Sequence, residues 1–97
     1  MGKVWPVKLR YTPRALSEVE RAISYIAERS PEGARNVADR LNHLLILLRE
    51  HPFSGTSNRY RGTRTLFLKP HPYMVYYQVR NDEIVVLRFR HTSRRAL

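Results

Sequence analysis

Thr12-Pro13 and Ser30-Pro31 are one signal written twice, eighteen residues apart. In each, a hydroxyl side chain that can accept from an unpaired helical N–H precedes a proline. The proline's fixed φ suits the first helical position, where its missing N–H does no harm. A chain that starts a helix after residue 12 and another after residue 30 has almost no loop between them. Leu16, Val19, Ile23 and Ile26 recur at spacings of three, four and three. Ala34, Val37, Ala38, Leu41, Leu44, Leu45 and Leu48 form a second apolar stripe. Two facing stripes joined tightly fold as an antiparallel helix hairpin. His51-Pro52 ends the second helix, because the residue before a proline is pushed out of helical geometry.

The rest of the chain reads as strands. "KVWPVKLRY" opens with a short one, and Pro6 confines its start to an edge because it cannot donate to a ladder. Residues 54 to 62 turn to Ser, Gly, Thr, Asn and Arg, a loop. A strand from Thr63 to Lys69 follows, with Arg64, Leu66 and Leu68 alternating against Thr65 and Phe67. "KPHP" turns it into "YMVYYQV", and "NDE" turns that into "IVVLRFRH". The expected fold class is α+β: an N-terminal strand, an antiparallel helix hairpin, then a three-stranded antiparallel meander, with the helices on one sheet face. Ninety-seven residues suit one domain, spanning 1–97.

Charge narrows the function. Lys plus Arg is 18 against 8 Asp plus Glu. The excess is uneven, with a net +3 over residues 1–50 and +7 over 51–97. Such a field favours a polyanionic partner: nucleic acid, a ribosome or an acidic protein segment. Fifteen of the 18 cations are arginine, which favours forked recognition of phosphate or carboxylate. There is no cysteine, which excludes disulfides and thiolate metal sites and suits a reducing compartment. No long apolar run marks a signal peptide or membrane span, so a cytoplasmic protein is expected. No histidine pair has metal-ligand spacing with a carboxylate and no glycine-rich phosphate loop occurs, so neither metal nor cofactor is expected.

The chain closes on "RFRHTSRR", where Arg88, Arg90, His91, Arg94 and Arg95 crowd together without a nearby acid in the sequence. If the helices cover the Leu87 and Phe89 face, Arg88 and Arg90 point outward, with Arg64 near them. Unpaired like charge at that density repels itself unless it meets an anion. His91 continues the face of Val85, Leu87 and Phe89, which suits either a histidine hydrogen-bonded at a strand end or a functional group. Tyr73, Tyr76 and Tyr77 read as strand formers, although tyrosines on a sheet can also stack on bases. His43 and His71 read as surface residues. Ile46 and Leu47 fall off the second stripe, roughly 120–140° round the helix from Leu41 at about 100° per residue. Either a neighbouring element covers them or they form an apolar patch for a partner.

This order of elements, "YTPRALSEVERAISYIAERSPEGA" leading into a leucine-rich helix, and the ending "HPYMVYYQVRNDEIVVLRFRHTSRR" resemble the RelE/ParE family of toxins from type II toxin–antitoxin modules. The resemblance runs from about Val7 to Arg95 and implies a cognate, acidic-tailed antitoxin, of which Ile46 and Leu47 would form part of the docking surface. It also implies one of two activities. The RelE-like branch cleaves mRNA on the ribosome; the ParE-like branch poisons DNA gyrase. Ribonuclease members often carry a tyrosine after the histidine matched by His91, where this chain has Thr92. They tend to carry an arginine early in the strand that here holds Met74, while Arg64 does match. Attack by a 2′-hydroxyl needs a base, an acid and cations. Between residues 51 and 97 the only carboxylates are Asp82 and Glu83, both in the expected turn. The expectation is therefore a ParE-like, plasmid-stabilisation type toxin that acts on gyrase without being an enzyme, with Arg64, Arg88, Arg90, His91, Arg94 and Arg95 contacting the target. A ribonuclease using Arg64 and His91 is the alternative, and a degenerate toxin that only binds its antitoxin a third.

Overall fold

A computed structural model describes residues 7–60 and 62–93. In chain order the elements are β1 (Lys8–Tyr11), α1 (Pro13–Arg29), α2 (Pro31–Glu50), β2 (Thr56–Ser57), β3 (Thr63–Phe67), β4 (Tyr73–Arg80) and β5 (Glu83–His91). Both helix starts act as their residue types dictate. Thr12 Oγ1 accepts from Ala15 N–H at 3.0 Å and Ser30 Oγ from Gly33 N–H at 2.9 Å. Ser30 also ends α1, its own N–H donating to Ile26 O. One residue thus closes one helix and opens the next, and the hairpin follows. Pro6, expected to blunt the first strand, lies outside the described residues.

The strands form one five-stranded sheet in the order β1-β5-β4-β3-β2. β3, β4 and β5 make the expected antiparallel meander, while β1 lies parallel to β5, with Leu9 opposite Ile84 and Tyr11 opposite Val86. The two-residue β2 lies in the stretch expected to be loop, and pairs Thr56 with Thr65 and Ser57 with Arg64.

Both helices pack on one sheet face. The buried cluster unites Val37, Leu41, Leu44, Leu45 and Leu48 of α2 with Val75 and Tyr77 of β4 and Ile84, Val86 and Phe89 of β5. The α2 stripe therefore stands as expected, but the α1 stripe is corrected at its start. Ala15 is fully buried, whereas Leu16 is 46% exposed. Thr12 N–H donates to Val86 O, so the first turn of α1 lies directly against β5. Only a small side chain fits that approach, and the larger Leu16 turns outward.

A second correction changes the site. β4 and β5 shift register between Tyr77–Val86 and Tyr76–Arg88, which leaves Leu87 as an extra residue in β5. The bulge resets the alternation. Core-facing residues run Ile84, Val86, then Phe89, so Val85 and Phe89 do not share a face as strict alternation demands.

Candidate functional site

The basic cluster that is dense in sequence at the end of β5 is not gathered in space. Arg88 is neither outward nor unpaired, which overturns the expectation for it. Its Nη2 lies 2.8 Å from Glu18 Oε2 and its Nε 3.0 Å from the same oxygen. Both side chains are largely buried, at 13% and 17% exposure. Glu18 Oε1 also accepts from Phe89 N–H at 2.9 Å. β1 ends at Tyr11, so this stretch of β5 has no strand on the edge away from β4, and the cap and first turns of α1 supply the missing partners instead. Thr12 Oγ1 donates to Leu87 O and the Glu18 carboxylate takes Phe89 N–H. Burial alone pushes the Glu18 pKa up. The hydrogen bonds from Arg88 and Phe89, with the Arg88 and Arg14 charges, outweigh it and hold the carboxyl below its ordinary value.

Arg90 and His91 part company. Arg90 is half-buried opposite Met74, and alternation turns it away from the helices. Lys8, Arg10 and Arg80 share that side of the sheet. Among the described residues Arg90 has no hydrogen-bonding or ionic partner, whereas Arg10 Nε reaches Glu83 Oε2 at 2.5 Å. Glu83 is thus the first residue of β5 and ion-paired, not a turn residue as expected. His91 is exposed, and its ring meets Tyr73 edge-on at 5.3 Å; Tyr73 in turn stacks on Phe89 at 5.1 Å. Ser93 N–H donates to His91 Nδ1 at 3.1 Å. The Ser93 hydroxyl lies 2.9 Å from the same nitrogen, so Ser93 holds the ring through Nδ1. Arg94 and Arg95 lie outside the described residues.

Arg64 is held elsewhere. It sits across from Tyr77 on β4, whereas His91 sits across from Tyr73. Two strands over and four residues along, the two Cα atoms are roughly 16 Å apart by sheet geometry. The Arg64 guanidinium bonds the loop after α2, with Nη1 2.7 Å from Gly55 O and 3.2 Å from Phe53 O. It also lies 5.2 Å from the Phe53 ring centroid. Arg64 is thus held by the loop and Arg88 by Glu18, and Arg64 and His91 lie at opposite ends of the β4 register.

The tyrosines are structural. Tyr77 is fully buried, donates to Pro52 O at 2.8 Å and accepts from Gly55 N–H at 2.9 Å. Burial pushes its phenol above the usual value, against the smaller pull of Gly55 N–H and the Arg64 charge. Tyr76 is buried as well. Ile46 and Leu47 stand on the surface at 58% and 44% exposure, with no neighbouring element covering them among the described residues. No three His, Asp or Glu side chains among the described residues converge to hold a metal ion. No helix among them is long and apolar enough to cross a membrane. Glu18, the partner that fixes the end of β5, escaped the sequence reading because it lies 70 residues from Arg88. Its one local sign is an acid on α1 close to the Val19 stripe.

Comparison with known proteins places this geometry. The family described as "ParE toxin of type II toxin-antitoxin system, parDE" matches residues 9–96. The protein Y4kP of Sinorhizobium fredii, named as a candidate toxin, is 33% identical over 85 residues, covering 87% of this chain and 88% of that one. Among solved structures, a protein of the chromosomal ParDE toxin–antitoxin system of P. aeruginosa superposes with a TM-score of 0.77 at 21% identity. It covers 89% of this chain and 96% of its own. The YoeB/ParE toxin of Agrobacterium tumefaciens superposes at 0.63 and 16% identity, covering 87% and 96%. These structural likenesses establish the shared fold.

Proposed function

The chain belongs to the ParE family of type II toxin–antitoxin toxins, and on that premise we propose that it inhibits DNA gyrase and is neutralised by a cognate antitoxin in the cytoplasm. The observation that carries this reading is the separation of Arg64 from His91. RNA cleavage needs a base, an acid and a cation within reach of one phosphate. Here the Cα atoms of Arg64 and His91 are about 16 Å apart by sheet geometry, and the Arg64 guanidinium is held by the loop carbonyls of Phe53 and Gly55. An exposed imidazole at a strand end, beside an Arg90 that has no ionic partner among the described residues, suits binding to another protein. The target contact is therefore assigned to Arg90 and His91 and to Arg94 and Arg95 beyond them. Arg88 supports that end from beneath.

A supercoiling assay with purified toxin tests the proposal. Loss of supercoiling with accumulation of cleaved DNA, reversed by antitoxin, is the expected result. Active gyrase at excess toxin, together with mRNA cleavage on ribosomes, transfers the function to the ribonuclease branch. A toxin harmless in cells without its antitoxin leaves only the antitoxin-binding role. Deleting residues 91 to 97 should abolish toxicity while leaving antitoxin binding largely intact.

The antitoxin surface is assigned to Ile46 and Leu47. Two large apolar side chains exposed on one helix end suit the apolar face of a partner segment. Leu47→Asp puts a charge into that contact and should weaken antitoxin binding by about a hundredfold, roughly 2.7 kcal/mol. Unchanged affinity in a calorimetric titration would move the docking surface elsewhere. Leu47 is outside the buried core, so the variant should melt within about 3 °C of the parent.

A further inference from the structure

A cleft of about 320 Å³ opens beside the loop that follows α2. Val79 and Arg64 stand on its helix-facing side of the sheet, the exposed rings of Phe53 and Tyr60 line it, and Asn58 and Gly62 border it. One edge of the Arg64 guanidinium is committed, since Nη1 donates to Phe53 O and Gly55 O. Its Nε–H and Nη2–H have no partner among the described residues. These two parallel donors form the side-on fork that donates to both oxygens of a carboxylate.

We propose that this cleft binds an acidic side chain of a protein partner, with an adjacent apolar side chain of the same segment seated against Phe53, Tyr60 and Val79. The assignment rests on the chain having a protein antitoxin and adds a second contact, separate from Ile46 and Leu47. Charge complementarity selects the occupant, because the chain carries a net +10 and, among the described residues, the held Arg64 guanidinium is the cation beside Phe53, Tyr60 and Val79. A nucleic-acid groove instead needs a run of cations that follows the phosphates. Among the described residues the cleft is lined by one cation, Arg64.

The fold supports the fork. The loop carbonyls that bind Nη1 fix the guanidinium plane, so little side-chain freedom remains to be lost on binding. Asn58 secures the far wall: its Oδ1 accepts from Tyr60 N–H at 2.8 Å and from the Thr63 hydroxyl, and its Nδ2 donates to Thr65 Oγ1 at 3.1 Å. The site is thus built before a ligand arrives.

The test is an NMR titration of full-length, isotope-labelled toxin with a capped hexapeptide, acetyl-Leu-Glu-Asp-Leu-Glu-Ala-amide. The same peptide with Gln and Asn in place of its acids, and a ten-nucleotide oligouridine, serve as competitors. Saturable shifts at the Arg64 Nε–H and at the Gly55 and Tyr60 amides are expected with the acidic peptide, at least tenfold weaker with the amide peptide. Arg64→Lys keeps the charge but loses the fork, and should weaken the acidic peptide by about tenfold. Tyr60→Ala removes an exposed ring without touching the backbone bonds of that residue, and should weaken it several-fold in a protein that remains folded. Equal binding of the two peptides, tighter binding of the oligouridine, or full affinity in both variants overturns the proposal. The outcome separates from the antitoxin reading itself. If the peptide fails while Leu47→Asp still weakens antitoxin binding, only the cleft assignment falls.

Discussion

Glu18→Gln lowers the melting temperature at pH 7 by roughly 8–16 °C, from a loss of about 2 kcal/mol in a domain of this size. The substitution keeps the shape of the side chain, and one oxygen can still accept from Phe89 N–H. The amide that replaces the second oxygen presents N–H groups to the Arg88 fork, which then lies largely buried with donors facing donors. The loss also depends on pH. Folding lowers the Glu18 pKa, so its stabilisation is fully present above the unfolded value of about 4.3. It fades as the pH falls through the lower folded value. The gap between parent and variant should narrow from pH 5 downward and nearly close once Glu18 is protonated in both states. A gap that stays constant from pH 7 to pH 2.5 would remove the ion pair as its cause. Arg88→Met in the Glu18→Leu background should restore part of the loss, because a well-packed apolar pair lacks the buried unpaired charge. Toxicity provides the functional readout. With the Arg88 fork no longer held by Glu18, the end of β5 that carries Arg90 and His91 is loosened and toxicity should fall.

The helix hairpin was legible because its signals are local. A hydroxyl, a proline and a 3.6-residue stripe each act within a turn or two, and Thr12, Ser30, Val37, Leu41, Leu44 and Leu48 all behave as their types dictate. The meander was legible for the same reason, its turns being short. Long-range facts were not. The parallel pairing of β1 with β5 joins residues about 75 positions apart, and no residue of either strand marks the other as its neighbour. Leu16 shows the limit of periodicity, since the stripe identifies a helix face to within one residue while the closeness of α1 to β5 selects Ala15. The bulge at Leu87 had the largest consequence. One extra residue accompanies the turn of Arg88 into a buried pair, while ordinary alternation keeps Arg90 and His91 on opposite faces, so a cluster dense in sequence is scattered in space. Ile46 and Leu47 were placed correctly because helix geometry alone carries them off the stripe.

The same contrast between local and distant constraint sets the expected result of Gly55→Ala. Nothing in the sequence singles out Gly55, which lies in a stretch rich in turn-forming residues, and its φ is outside the left-handed region. The demand for glycine comes from across the sheet. A Cβ at Gly55 would lie 2.6 Å from Tyr77 Oη, 2.8 Å from Tyr77 Cε1 and 2.9 Å from Thr65 O. The tyrosine is fully buried and held at its hydroxyl by Pro52 O and Gly55 N–H, and Thr65 O belongs to the backbone of β3. Neither can retreat cheaply, so the loop must move, at a cost of about 2–3 kcal/mol and a fall of roughly 10–20 °C in melting temperature. Tyr77→Phe alone should cost about 1–3 kcal/mol by leaving Gly55 N–H unsatisfied. Combining it with Gly55→Ala relieves the shortest clash but leaves the ring carbon and Thr65 O in place, so the pair should not recover the stability of the parent. Gly62→Ala is the useful contrast. Its φ of 73° penalises alanine by about 1–2 kcal/mol through the backbone. Its nearest neighbour, Gln78 Nε2, lies 3.8 Å from the added carbon, so no element needs to shift. Because Gly55 O is also an acceptor for Arg64, displacement of the loop should release the guanidinium and weaken acidic-peptide binding in the cleft, whereas Gly62→Ala leaves that carbonyl where it is. A Gly55→Ala variant as stable as the parent, with the Arg64 Nε–H resonance unmoved, would show that the loop yields freely and that Tyr77 does not govern the cleft.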